Sequence, residues 1–337
     1  MHKISACLLS LWLLNFAEKI EIHPDAGTST FPFLKINYDA RSAALGNSAT
    51  ATKSGIYGVL NNPAMLGYTQ TPQVLLGYRS IVLDIKGTPL AYSMPITVNN
   101  RHLGAVAAHA VYLSHGSLSE VDENGEETGI IWEPYSLYGG IAWSKIIWET
   151  VSIGANVKGI YDRQGSNTNE AFSASGLAFD FGAQYRLLRE RLVLGISMTN
   201  LGLIMNGYQQ EDTDAHLPAA SSIGISYTNK VVTILAEIEK PHDNYLIGKS
   251  ALEIALAQQM FFLRFGASTS TRDVYNMSRV LFGDDDETAS TNYEGPSLGL
   301  GFKKDIGNVT LNVDAALYLR LQQGITPPFL ISAKLEL

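Results

Sequence analysis

The sequence predicts an all-β protein: a transmembrane antiparallel β-barrel of about 14 strands with an N-terminal segment folded into its lumen. Three observations point there. Apolar residues alternate with small or polar ones through most of residues 73–337. No run of about 20 apolar residues follows the N-terminus, so helices cannot carry this chain through lipid. Turns of two or three residues alternate with long polar loops, as in barrels whose turns are short on one rim and long on the other.

Composition narrows the class further. The chain has 337 residues, a charged fraction of 17%, a hydrophobic fraction of 46% and a formal net charge of −8. Its mean hydropathy is +0.04. The charged fraction lies well below the roughly 25% of ordinary soluble domains. The apolar content excludes disorder, and the acidic balance excludes a basic nucleic-acid footprint. A single cysteine, Cys7, permits neither an internal disulfide nor a zinc-thiolate site.

Residues 1–17 read as a secretory signal. Lys3 gives a short basic start, Ile4 to Leu14 an apolar run too short to span a bilayer, and Ala17 a cleavage point. The mature chain would be near −9 and free of cysteine.

Residues 18–72 break the alternation and are expected to form a plug. Ala40 to Leu45 has helical propensity and stops at Gly46. Asn61-Asn62-Pro63-Ala64 reads as a turn, with Asn62 as cap and Pro63 at the first helical position. A barrel of about 14 strands has a lumen its wall side chains cannot fill. The segment carrying Arg41, Gly46, Asn61, Asn62, Pro63 and Ala64 is the candidate filler.

Residues 73–337 hold the barrel. From Val309 to Leu321 every odd position is apolar, while Thr310, Asn312, Asp314 and Arg320 fall between. Residues 173–187 set Leu177, Phe179, Phe181 and Tyr185 against Gly176, Asp180, Gly182 and Arg186. Residues 152–161 set Ile153, Ala155, Val157 and Tyr161 against Ser152, Asn156 and Lys158. Further strands are expected at 73–79, 86–96, 101–114, 135–147, 190–200, 219–228, 231–239, 249–258, 260–269, 296–304 and 326–337. Tight turns fall at 99–100, 188–190, 228–230 and 306–308.

A soluble β-sandwich would alternate too. Its outer face would carry charge, however, whereas the polar faces here are rich in Gly, Ala, Ser, Thr and Asn. The apolar face is therefore assigned to lipid and the polar face to the lumen. Aromatics near segment ends (Tyr135, Trp143, Trp148, Tyr161, Tyr185, Tyr227) suit an interfacial girdle. Lys158, Asp180, Arg186, Glu237, Asp314 and Arg320 fall on lumen faces, either as interior ion pairs or as a polar conduit.

No catalytic signature appears. The seven histidines show no metal-ligand spacing, and His109 reads as a lumen or rim residue. There is no nucleophile elbow, Walker loop or His-Glu-x-x-His. Asp284-Asp285-Asp286-Glu287 lacks EF-hand spacing and reads as a solvated loop. No cofactor or metal is expected.

The run Tyr38-Asp39-Ala40-Arg41-Ser42-Ala43-Ala44-Leu45-Gly46, followed by Asn61-Asn62-Pro63-Ala64-Met65-Leu66, resembles the opening of the PorV/PorQ family. Those proteins are outer-membrane barrels related to the FadL long-chain fatty acid transporters. Residues 112–126, 151–161, 173–183 and 195–202 are similar to later strands of that family. The likeness runs by motif from about residue 30 to 230.

The resemblance implies a bacterial outer-membrane component of type IX secretion. Secreted cargo and other secretion components would dock on loops 115–130, 162–172, 206–218 and 280–295. The alternative is FadL-like passive uptake of hydrophobic small molecules, with an apolar pocket expected near Pro63, Met65 and Leu66. An exported enzyme on a β scaffold has no motif behind it. Expected partners are thus outer-membrane lipid, cargo proteins or a hydrophobic ligand, and no nucleic acid.

Overall fold

In a computed structural model, alternation at every second residue becomes a closed cylinder. The structure describes residues 22–337 apart from 54, 100, 123, 166–171, 209–215, 272–295 and 320–326. The expected signal sequence, Arg320, Asp284–Glu287 and loop 280–295 therefore lie outside the described residues.

Sixteen strands are described. They are β1 (Gln73–Ser80), β2 (Lys86–Val98), β3 (Arg101–Ser114), β4 (Leu118–Val121), β5 (Glu127–Trp132), β6 (Tyr135–Trp148), β7 (Val151–Arg163) and β8 (Ser173–Leu187). Then come β9 (Leu192–Asn206), β10 (Ala220–Thr228), β11 (Val232–Pro241), β12 (Ile247–Leu256), β13 (Phe261–Ser270), β14 (Ser297–Ile306), β15 (Val309–Tyr318) and β16 (Phe329–Glu336). All but β4 and β5 form one closed barrel of 14 strands. Its neighbours pair antiparallel, and β1 closes on β16 with Gln73 opposite Glu336. Closure leaves no sheet edge in lipid, where an unpaired N–H or C=O would cost several kcal/mol. No helix among the described residues is long and apolar enough to cross a membrane.

The two rims differ as expected. Tight turns join β6 to β7, β8 to β9, β10 to β11, β12 to β13 and β14 to β15. Leu188, Arg189 and Glu190, and likewise Ala257, Gln258 and Gln259, make their turns with three successive positive φ angles. The opposite rim carries the longer connections. One of these, expected as a polar loop, holds the β4–β5 hairpin, where Leu118 pairs with Trp132.

The outward face is apolar. Ile141, Ile196, Ile223, Ile234, Ile238 and Leu300 are each more than half exposed. An aromatic row stands at the long-loop rim, with Tyr112 and Tyr161 flanking Tyr135 at ring separations of 5.7 and 6.0 Å. Trp148, Tyr185 and Tyr227 are exposed near the short-turn rim. The inward face is small or polar, with Ser93, Ser144, Ser152, Ser222, Ser226 and Ser332 buried.

Residues 31–69 lie against that inward face. Helix α1 (Ala40–Ala44) is capped by Asp39, whose carboxylate accepts the Arg41 and Ser42 backbone N–H groups. Turns of 3₁₀ helix follow at Gly55–Leu60 and Pro63–Tyr68. Asn62 caps the second, its side chain accepting the Ala64 N–H, with Pro63 at the start where a missing N–H costs nothing.

The largest departure from the sequence reading is in β9, while β15, expected to run to 321, ends at Tyr318. Expected to end at 200, β9 continues to Asn206. Asn200 sits at φ 57 and opens a bulge, so that Phe179 pairs with Leu201 but Phe181 with Met198. Outward positions are even before the bulge (Leu194, Ile196, Met198) and odd after it (Leu201, Leu203, Met205).

Candidate functional site

The internal segment meets the wall in two ways. On one flank the contact is dry. Met65 and Leu66 are fully buried with Ile56, Tyr57, Val59 and Leu75 against Ala91, Ala105, Ala107 and Ala142. The Ala64 carbonyl accepts the Ser152 hydroxyl at 2.8 Å. Contact is so close that a Cβ on Gly154 would fall 2.4 Å from the Pro63 carbonyl carbon. The apolar pocket expected around Pro63, Met65 and Leu66 is therefore corrected: inward-facing alanines and glycines let the segment seat directly on the wall.

On the other flank the contact is ionic. Arg264 joins Glu253 and Asp314, at 2.6 Å each. Arg41 of α1 reaches Glu253 at 3.0 Å, and the Tyr57 hydroxyl donates to Asp314 at 3.1 Å. Lys249 lies 3.0 Å from Glu237 and 2.7 Å from Glu239, and Glu237 also accepts the Thr50 N–H at 2.8 Å. Lys35 and Ser29 both hold Asp243. Buried charge survives only when paired and hydrogen-bonded, and every one of these carboxylates is.

The sequence-selected residues distribute over these contacts. Gly46 touches the wall at Ala267 and donates its N–H to Ser297. The Asn61 amide donates to the Tyr57 carbonyl at 3.0 Å, and Asn62 donates to the Thr50 and Ile196 carbonyls. Lys158 and Asp180 form a buried pair at 2.8 Å, shared with Asn200 and Asn156. Arg186 lies with its guanidinium 3.4 Å above the Tyr68 ring and pairs with Glu190 at 3.5 Å. His109 lies in the lumen and meets Asn156 at 3.0 Å.

Sequence reasoning did not single out Lys249, Glu253, Arg264, Glu239 or Asp243. The signal was present in part. Lys249, Ala251 and Glu253 share one parity on β12, and Arg264 pairs with Glu253 across β13.

Burial displaces titrations in the internal segment, those of Asp39 and Lys53 among them. Burial pushes the Asp39 carboxyl up to about 6, although its hydrogen bonds to Ser42 pull it back. Burial also lowers the ammonium of Lys53, which donates to the Glu190 carbonyl at 2.8 Å.

Between the ionic flank and the long-loop rim lies a cavity of about 300 Å³. Leu34, Ile36 and Leu60 of the internal segment line it, as do Thr199, Ser222 and Lys249 of the wall. The β9–β10 ladder ends beside it, at Thr199–Ala220, while β9 itself runs on to Asn206. No metal-binding group of three or more His, Cys, Asp or Glu exists among the described residues.

These features define the class: a transmembrane barrel of 14 strands with a segment of its own chain packed in the lumen. Solved structures share the fold. The chain is similar to the "TodX monoaromatic hydrocarbon channel deltaS2 mutant", with TM-score 0.59 and 15% identity over 88% of this chain and 97% of that one. It is similar to the Ralstonia pickettii toluene transporter TbuX, with TM-score 0.56 and 13% identity over 89% and 97%. The Pseudomonas putida toluene transporter TodX gives TM-score 0.55 and 15% identity over 89% and 97%. No protein-family model and no curated protein sequence matches the chain.

Proposed function

We propose that this protein is a non-enzymatic outer-membrane barrel for passive uptake of small molecules with apolar character. The observation that carries this reading is the cavity of about 300 Å³ between the internal segment and the wall, at the long-loop rim. Ligand sites are concave and mostly pre-formed, and this cavity stands at the lower end of their usual size. The fold shared with hydrocarbon channels over nearly their whole length supports it.

In this reading residues 22–72 act as a hatch. The segment must shift for a molecule to pass, because it fills the lumen on its dry flank. Residues 1–17 would direct export, and lipid would cover the apolar wall. The test is uptake of radiolabelled toluene and of radiolabelled phenyl β-glucoside by intact cells, where the lipopolysaccharide leaflet slows direct entry. Deleting the gene should cut initial uptake of at least one of them several-fold and a plasmid copy should restore it; equal rates for both would sink the proposal.

A second reading rests on the likeness of residues 38–46 and 61–66 to the PorV/PorQ opening. It makes the barrel a type IX secretion component whose loops meet cargo and other secretion proteins. The β4–β5 hairpin favours it, since Val121 and Ile131 are both more than half exposed there. Surface display of proteins bearing C-terminal secretion signals would be lost on deletion under this reading and unchanged under the first.

A further inference from the structure

We infer that the molecule held in the cavity is an uncharged amphiphile bearing hydroxyl or amide groups on an apolar body, and not a plain hydrocarbon or an anion. The inference rests on the uptake reading and adds the substrate class to it.

The lining is the argument. Hydroxyl and amide groups come from both sides: Ser197, Thr199, Ser222 and Ser268 from the wall, Asn37 and Asn61 from the internal segment. Apolar surface lies among them, chiefly Leu34, Ile36 and Leu60, with Ile247 opposite. Asn37, Asn61, Ser197 and Ser222 already bond within the protein, which leaves Thr199 and Ser268 as the hydroxyls that face a ligand. A toluene ring would pack on the apolar set and strip water from those two hydroxyls without replacing it, so a site so lined favours a ligand that bonds them over bare hydrocarbon.

Charge makes the second cut. Five charged side chains line the cavity: Lys35, Lys249, Glu237, Glu239 and Asp243. All are paired with one another, Lys35 with Asp243 and Lys249 with both glutamates. An ionic ligand must break one of those pairs or bury its charge beside them. A neutral donor–acceptor ligand bonds to hydroxyls and amides and leaves the pairs standing. The cavity's acids exceed its bases by one, which disfavours an anion in particular.

The test uses the full barrel in lipid nanodiscs and three probes sharing an aromatic ring: phenyl β-glucoside, toluene and benzoate. Binding is read by saturation-transfer NMR and by competition. The glucoside should bind at least tenfold more tightly than either other probe. Thr199→Val with Ser268→Ala should weaken it about tenfold and leave toluene unchanged or improved. Ala220→Phe, which projects a ring into the cavity, should abolish glucoside binding. Heat-modifiable gel mobility verifies that each variant is folded. Toluene binding as tightly as the glucoside, no glucoside binding at all, or indifference to the paired hydroxyl removal would each overturn the inference. Whole-cell uptake of toluene and of the glucoside tests the uptake reading separately, so glucoside binding without gene-dependent uptake of either sinks that reading alone, and gene-dependent uptake with toluene-selective binding sinks only this one.

Discussion

The two flanks of the internal segment hold it by opposite means. Around Pro63–Tyr68 the wall offers Ala105, Ala142, Ser144, Ser152 and Gly154, and the segment packs dry upon them. Around α1 and Thr50 the wall offers Glu237, Lys249, Glu253, Arg264 and Asp314, and the segment answers with Arg41, Tyr57 and a backbone N–H. Dry packing has no substitute partner, because water cannot replace van der Waals contact. Ion pairs do, because water or a polar ligand can take either side. The cavity lies on the ionic flank. The dry flank therefore acts as the anchor, and the ionic flank is where the segment can yield.

The largest effect should come from Arg264→Met. It leaves Glu253 and Asp314 buried without their main cation, a change worth about 3–5 kcal/mol. The melting temperature should fall sharply. Adding Glu253→Gln and Asp314→Asn should recover much of the loss, since the uncompensated charges are then gone. If the triple variant melts no higher than Arg264→Met, the ionic flank is not the charge-balanced latch described here.

Next comes the pH dependence of Asp39. Its carboxyl titrates near 6 when folded and near 3.8 when unfolded. The folded state thus holds the proton more tightly, so stability falls as pH rises from about 4 to about 6 and is level above. That difference corresponds to roughly 3 kcal/mol across the window. Asp39→Asn keeps a side-chain oxygen for the cap and cannot ionise. The difference in melting temperature between the two proteins should change in the variant's favour between pH 4 and pH 6; a flat difference would refute the burial argument.

The wall was legible in the sequence, the lumen only in part. Alternation located all fourteen barrel strands because lipid imposes one side-chain character on every outward position. It failed at Asn200, where one extra residue reversed the parity and hid the last six residues of β9. The cap at Asn62 and the helix at Ala40 were readable because both are local. The Arg41–Glu253–Arg264–Asp314 cluster was not, since it joins four chain segments whose angular positions appear only once the barrel closes. The cavity was hidden for the same reason: its lining spans residues 34–270 and no local pattern marks it.

A smaller effect sharpens the anchor side. Gly154→Leu should force the Pro63 turn off β7, because a side chain there has no space. Overpacking of this kind costs about 1–3 kcal/mol. If the dry flank is the anchor, displacement should open the lumen, seen as raised single-channel conductance in planar bilayers with the barrel still heat-modifiable. The same size of substitution at Gly248, where no atom lies within 4 Å of a built Cβ, should leave conductance unchanged.

The smallest effect expected is that of Asn62→Ala. The cap of the Pro63 turn is lost, typically worth about 1 kcal/mol. The two carbonyls that Asn62 serves fare differently. Thr50 keeps a second donor, the Gln184 amide at 3.1 Å, while the Ile196 carbonyl loses its side-chain contact. Asn62→Ser separates the contributions, since its hydroxyl is neutral and can still accept the Ala64 N–H but is too short to reach the Thr50 and Ile196 carbonyls. Should Asn62→Ser melt as high as the parent, the cap alone matters; should it melt no higher than Asn62→Ala, the tie to the wall is what seats the turn on the dry flank.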